Sequence, residues 1–249
     1  MSISESGLKV SIITPCLNGA KHLERTIQSV IHQTYGNIEY IIIDGGSTDD
    51  TLKIVRKYAG HIAYWVSEPD KGIYDAINKG IDLSSGELIG VLSSNDYYDK
   101  EAVGWVIEAY KQRREAGIFF GDAVGIKQCL RQKRKGRVEL GQFRPFRSSL
   151  EIAHSATFIH KEVHQRWRYD AKFKIGADYD LLWKAYNAGI KFHYLDKILT
   201  YLSLPGASGH YRCLLENYAI RKKYHKLRAL YLLLKETFVY FIRNIQGWY

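Results

Sequence analysis

The sequence predicts an α/β protein: a mostly parallel, Rossmann-like central sheet flanked by helices, with a helical appendage at the C-terminus. Three observations carry this. Short apolar runs alternate with helix-periodic stretches through the first hundred residues, the pattern of crossover units that lay strands parallel. Several of those runs are apolar on consecutive residues, as strands buried on both faces are. From residue 211 onward the chain reads as helix to its end.

Residues 10–14 form a short β-rich run that Pro15 should stop. A helix follows over 20–33, with Leu23, Ile27, Val30 and Ile31 on one face. Residues 38–43 make a second strand ending at Asp44-Gly45-Gly46-Ser47. Ser47 is placed to cap the next helix, with Asp50 three residues on. Strands are expected at 62–66 and 88–92, separated by the loop Ser67–Gly72 and a helix over 74–81. A helix over 102–115 leads to a fifth strand at 118–122. Further strands are expected at 152–159, 191–194 and 198–202, and a helix opens near Asp178 and closes at Gly189.

In parallel sheets ligands bind beyond the carboxyl ends of the strands. The loops carrying Asp44, Asp70 and Asp96 all follow strands, so all three should share one edge. Taken alone, Ser93-Ser94-Asn95-Asp96 also suits a plain turn, since these residues end strands by local hydrogen bonding.

A chain of 249 residues can bury a full core, and 46% hydrophobic with 25% charged residues is ordinary for a globular protein. The net charge of +10 points to an anionic partner, with nucleic acid, anionic lipid and nucleotide phosphates as candidates. The excess is concentrated at residues 127–147 and 221–243. Three widely spaced cysteines, Cys16, Cys129 and Cys213, suggest a reducing compartment and lack metal-ligand spacing. The N-terminus has no secretory pattern and no run is long enough to span a membrane. The expected location is cytoplasmic.

Five segments, taken in order and spacing, resemble the family 2 glycosyltransferases, inverting enzymes of the GT-A fold. They are Val10-Ser-Ile-Ile-Thr-Pro15-Cys-Leu-Asn18, Gln33-Thr-Tyr, Ile41-Ile-Ile-Asp44-Gly-Gly-Ser-Thr-Asp49, Ser67-Glu-Pro-Asp70-Lys-Gly72-Ile-Tyr-Asp75-Ala-Ile-Asn78-Lys-Gly80, and the loop from Leu92 to Asp96. His154-Ser-Ala-Thr-Phe and Ala177-Asp178-Tyr-Asp180-Leu extend the likeness. The segment beginning at Glu68 is similar to members that build bacterial surface polysaccharides. The resemblance implies a catalytic domain over 1–210, with a nucleotide-sugar half at 8–100 and an acceptor half at 101–210, and an amphipathic extension over 211–249.

It also implies a reaction: a sugar passes from a nucleotide diphosphate, UDP above GDP or TDP, to an acceptor hydroxyl of a cell-surface polysaccharide or glycolipid. Mn²⁺ or Mg²⁺ would assist the departing diphosphate as a Lewis acid. The family's acidic metal motif falls on Asn95-Asp96, so one carboxylate, Asp96, carries the metal, with His210 as a second candidate ligand. The same resemblance places Pro15, Leu17, Asn18, Asp44, Asp70, Lys71, Ser94 and Asn95 at the nucleotide, with Asp44 accepting from the base. Asp178 matches the general base, with Asp180 as fallback, and His154 a recurrent acceptor-side histidine.

The pair His160 and His164 lacks the zinc-protease order and is expected at an exposed helix start. The basic stretch 127–147 reads as an acceptor loop, a membrane-facing patch or a solvated loop. Leu227, Leu230, Tyr231, Leu234, Phe238, Phe241, Ile242 and Ile245 recur at helical spacing among basic residues. Such a helix suits the inner face of an anionic plasma membrane, a second subunit, or its own domain. Two other functions remain open at this point. One is a nucleotide-binding member that has lost catalysis and acts as a scaffold; the other is a nucleic-acid binder. No interleaving of basic and aromatic residues supports the latter, so no nucleic-acid partner is expected.

Overall fold

The structure is a computed structural model that describes residues 7–127, 130–134, 137–139, 149–204, 211–224, 229–230 and 233–238. Its centre is β1 (Val10–Cys16), hydrogen-bonded in parallel to β2 (Ile38–Asp44) on one side and β4 (Leu88–Val91) on the other. β3 (Tyr64–Ser67) pairs in parallel outside β2. Strands β1 to β4 are therefore all parallel to one another. β1 runs through Pro15 instead of stopping before it. Pro15 is one residue from the strand end, where a missing N–H costs little of the ladder.

Side-chain alternation sorts the strands between two cores. Val10, Ile12, Tyr40 and Ile42 face the layer of α1 (Leu23–Ile31), α2 (Thr51–Lys57) and α4 (Ala102–Arg113). Ile13, Ile41, Ile43, Ile89 and Val91 face the layer of α3 (Ile73–Leu83) and α6 (Ala177–Asn187). The consecutive isoleucines of β2 are thus explained by burial on both faces. Gly80 lets α3 close on β1, because a Cβ there would overlap Ile13.

The second half is mixed. β10 (Thr157–His160) runs antiparallel to both β4 and β6 (Gly117–Lys127). β11 (Lys191–Ser203) is parallel to β6, and β5 (Tyr97–Tyr98) lies antiparallel at its far edge. The two late strands expected at 191–194 and 198–202 are one strand, whose register slips at Tyr194/Ile198 and Ile198/Thr200. Such a bulge bends a strand without ending it. The strand expected over 152–159 starts later: His154–Ala156 is a 3₁₀ turn, and pairing begins at Thr157.

The basic stretch is not loop throughout. β6 extends to Lys127 and pairs with β7 (Leu130–Arg134), and β8 (Arg137–Glu139) pairs with β9 (Ser149–Glu151). Cys129 and residues 140–148 lie outside the described residues. No helix among the described residues is long and apolar enough to cross a membrane.

His160 and His164 are not exposed. His160 ends the buried strand β10 and His164 lies on the inner face of α5 (Lys161–Arg166), leaving them 4% and 1% accessible. His160 contacts the Tyr110 hydroxyl and its Nδ1 accepts from the backbone of Glu162, capping α5. Among the described residues neither ring nitrogen of His164 has a hydrogen-bond partner. Burial, aided by the charge of Arg168, pushes its pKa down to about 3. The folded protein therefore binds fewer protons than the unfolded chain between pH 3 and 6.5, and stability falls as pH drops through that window. At pH 5 the loss should be about 2 kcal/mol relative to pH 7. Urea unfolding at both pH values should show this loss shrinking in His164→Leu, and equal losses in the two proteins would refute it.

Candidate functional site

The carboxyl ends of the first three strands are in register: Cys16 pairs with Asp44, and Asp44 with Ser67. Asp44 is fully buried there. Its Oδ2 accepts from the backbone N–H of Gly46 (3.1 Å) and Ser47 (2.9 Å) and from Ser67 Oγ (2.6 Å). Its Oδ1 accepts from Ser47 Oγ and, at 3.4 Å, from the Cys16 thiol. Burial alone would raise the Asp44 pKa, but the hydroxyl and backbone donors outweigh it and hold the carboxyl below its ordinary value. Burial and the nearby Asp44 charge push the Cys16 thiol up, so it stays a protonated donor.

Ser47 is consequently not a helix cap. Its hydroxyl serves Asp44 and accepts from the backbone of Asn18 at 2.7 Å. α2 starts at Thr51, and its local turn is made by Asp49, which accepts from Thr51 N and also from Ala20 N. Asn18 takes a left-handed φ of 51° and its side chain accepts from Thr48 N. The loops after β1 and β2 are thus stitched into one wall. Leu17 is 58% exposed at its rim, whereas Pro15 lies buried behind it.

Asp70 joins this wall from β3. Its Oδ1 accepts from Gly72 N at 2.8 Å, and any side chain at Gly45 would overlap its other oxygen. Lys71 is exposed beside it. The loop after β4 closes from the other side, with Ser94 against Gly19. The acidic loops therefore share one edge, as the strand order requires.

Asp96 is only 5% exposed. Its Oδ1 accepts from Ser203 N (3.0 Å) and its Oδ2 from Ser155 Oγ (2.8 Å). Burial raises its pKa against the opposing pull of His154, those two donors and Arg25. The Arg25 guanidinium donates to the carbonyl of Asn95 and to Ser203 Oγ and lies over the Tyr97 ring. Asn95 and Ser94 are half-buried, with their carbonyls taken by Arg25 and Ser203, and by Thr26, respectively.

From the second half of the chain, Asp178 occupies the first turn of α6. Its Oδ1 accepts from Tyr179 N at 2.8 Å and lies 3.3 Å from the Tyr74 hydroxyl. Its Oδ2 is 3.8 Å from Nδ1 of His154. The other ring nitrogen of His154 meets Ser93 Oγ at 2.9 Å and Ser155 Oγ at 3.2 Å. Ser155 donates to Asp96, and with Nε2 turned to the two hydroxyls, Nδ1 is the ring nitrogen that faces Asp178. A continuous polar chain thus links Asp178, His154, Ser155 and Asp96 along a recess walled by Ile89, Val91, Tyr169 and Leu182. Asp180 faces elsewhere: it is 1% exposed and paired with Lys184 and Lys223.

Among the described residues no three His, Cys, Asp or Glu side chains converge to hold a metal ion. Asp96 has one protein donor on each oxygen, and each oxygen keeps a second lone pair. That donor set fits a cation that draws most of its ligands from a phosphate, and does not fit a cage built by the protein alone. His210 lies outside the described residues. Sequence reasoning missed Arg25, Ser155 and Ser203. Each meets Asp96 or its loop only through tertiary contact; Ser155 sits beside His154 in a segment the sequence already singled out, whereas Arg25 and Ser203 carry no such signal.

Comparison with known proteins identifies the family. The family model described as glycosyl transferase family 2 matches residues 11–199. An uncharacterized glycosyltransferase of Mycobacterium tuberculosis is 34% identical over 180 residues, covering 71% of this chain and 68% of its own. A PGL/p-HBAD biosynthesis glycosyltransferase of Mycobacterium bovis is 29% identical over 175 residues, covering 68% and 66%. Among solved structures, S. aureus TarS 1–349 in complex with UDP superposes with a TM-score of 0.68 at 18% identity. The match spans 86% of this chain and 64% of that one, so the chain is shorter than the protein it resembles. The curled mixed sheet with flanking helices is the GT-A fold of that neighbour. With the family model matching from β1 into β11 and across all of these loops, the chain belongs to glycosyl transferase family 2 and is a glycosyltransferase.

Proposed function

We propose that the chain transfers a sugar, with inversion, from a nucleotide diphosphate to an acceptor hydroxyl of a surface polysaccharide or glycolipid. The observation that carries this is Asp178, in the first turn of α6 and joined through His154 and Ser155 to Asp96. An inverting transfer needs this pairing of a base on the acceptor side with a charge-handling group on the donor side. The Asp178 carboxylate takes the acceptor proton as the acceptor oxygen attacks the anomeric carbon. The bond to the diphosphate breaks on the opposite face, and the electron pair leaves with it. His154 acts as a positioning residue that holds the carboxylate toward the recess.

The donor nucleoside is assigned to the wall formed by Pro15, Leu17, Asn18, Asp44, Asp70 and Lys71. Leu17 supplies an exposed apolar surface for a base, and Lys71 a free cation near phosphate. Asp44 shapes that wall through the loops it holds. It meets a base N–H only in exchange for one of its serine hydroxyls. Ser94 and Asn95 line the diphosphate end. Solved relatives of the fold are complexes with UDP, with UDP-GlcNAc and, for a Pyrobaculum calidifontis mannosyltransferase, with GDP-Man and Mn2+. These support a nucleotide-sugar donor, with UDP first and GDP second. Asp96 would hold a divalent cation, which supplies Lewis acidity toward the diphosphate. Arg25, beside Asp96, adds fixed positive charge at the same end.

The named role of the mycobacterial relative in PGL/p-HBAD biosynthesis supports a glycolipid acceptor. The C-terminal segment suits such an acceptor. Leu230, Leu234 and Phe238 are spaced four apart and are 48%, 64% and 68% exposed, near the basic Lys222 and Lys235. Leu227, Tyr231, Phe241, Ile242 and Ile245 lie outside the described residues.

Calorimetry with UDP and GDP should show binding that strengthens with Mn²⁺. Asp96→Ala should abolish that strengthening; a variant that keeps it would remove Asp96 from the metal. Asp178→Asn should keep nucleotide affinity while turnover falls about a thousandfold. Near-normal turnover in that variant would exclude Asp178 as base, and nucleotide binding without transfer by the wild type would favour a scaffold. Replacing Leu230, Leu234 and Phe238 together by Ser should abolish sedimentation with anionic vesicles. Equal sedimentation of both proteins would remove membrane attachment.

A further inference from the structure

The first turn of α6 has no cap of its own. The residue before it is Gly176, which has no side chain to cap with, and Asp178 itself accepts from Tyr179 N. The three backbone N–H groups that lead into it are bound by a residue forty positions away. α7 (Tyr211–Tyr224) lies against this end of α6, and Glu216, 12% exposed, points into it. Its Oε2 accepts from the backbone N–H of Lys174 (3.1 Å), Ile175 (2.9 Å) and Gly176 (2.9 Å). Its Oε1 accepts from Lys174 N (3.1 Å) and from Arg212 Nε (3.0 Å). On the other side of the same peptide, the Tyr74 hydroxyl donates to the carbonyl of Ile175 and also touches Asp178.

The residues after Asp178 are held by the same helix. Arg221 donates to the Tyr179 hydroxyl at 2.8 Å and pairs with Glu236 through two bonds. Lys223 reaches Asp180 at 3.0 Å. Ile220 is fully buried, and a Cβ at Gly176 would sit 3.2 Å from it. Residues 174–176, 179 and 180 therefore take contacts from α7, and Asp178, between them, is left to face His154.

We propose that α7 is a positioning element of the active site and that Glu216 is its positioning residue, setting the Asp178 carboxylate by gathering the three N–H groups before α6. The proposal rests on Asp178 being the base. It also makes the C-terminal extension part of the catalytic machinery, not a detachable anchor.

Three readouts on the full chain, Glu216→Ala and Glu216→Gln test this. Amide exchange at 174–176 should be fastest in the Ala variant and intermediate in the Gln variant, whose one oxygen still accepts. The His154 ring nitrogens, read by ¹⁵N NMR, should shift in the Ala variant toward their values in Asp178→Asn. Turnover should fall about tenfold or more while UDP affinity stays within about twofold of wild type. Faster exchange with an unmoved His154 signal or unchanged turnover would overturn the proposal. If the wild type transfers no sugar from any nucleotide donor, the function assignment fails, and exchange with the His154 signal still decides the clamp.

Discussion

A carboxylate buried at the end of a strand must find donors, and Asp44 finds five: two backbone N–H groups, two serine hydroxyls and a thiol. Those donors come from β1, the loop after β2 and the end of β3. Satisfying one charge therefore fixes three loops at the sheet edge. Left with fewer donors, the same carboxylate would bear a desolvation penalty that the edge could not offset. The wall offered to a ligand, from Leu17 and Asn18 to Asp70, is built outward from that node.

The second half of the chain follows a different logic. β10 enters antiparallel between β4 and β6, which brings the 3₁₀ turn at His154–Ala156 beside the loop after β4. Ser155 then bridges to Asp96 and His154 to Asp178. Helix α6 delivers Asp178 from the opposite layer. The two carboxylates thus belong to separate halves of the chain, and a short chain of polar side chains joins them. The C-terminal helix holds the second half in place, through Glu216 before Asp178 and Arg221 and Lys223 after it.

Much of this was legible in the sequence because local patterns encode it. Consecutive isoleucines in β2 announce burial on both faces, and acidic loops after parallel strands announce an edge site. The errors have identifiable causes. Ser47 has the type and spacing of a helix cap, but the buried Asp44 competes for it and wins. His160 and His164 are polar residues around a helix start, yet His160 ends the buried strand β10 and α5 packs His164 inward. The bulge in β11 leaves the side-chain pattern broken where the backbone ladder continues.

By itself the sequence determined the alternation of elements, the strand ends that carry Asp44, Asp70 and Asp96, and the motif order that placed Asp178. These depend on short-range periodicity and on residue chemistry at strand and helix ends. Only the tertiary structure decided that Asp44 is already saturated, that His154 and Ser155 connect Asp178 with Asp96, and that Asp180 is an ion-pair residue. It also decided that Glu216 binds the backbone leading into the helix of Asp178. Each of those depends on atoms separated by tens of residues meeting within hydrogen-bond distance, and no local pattern in the chain records such a meeting.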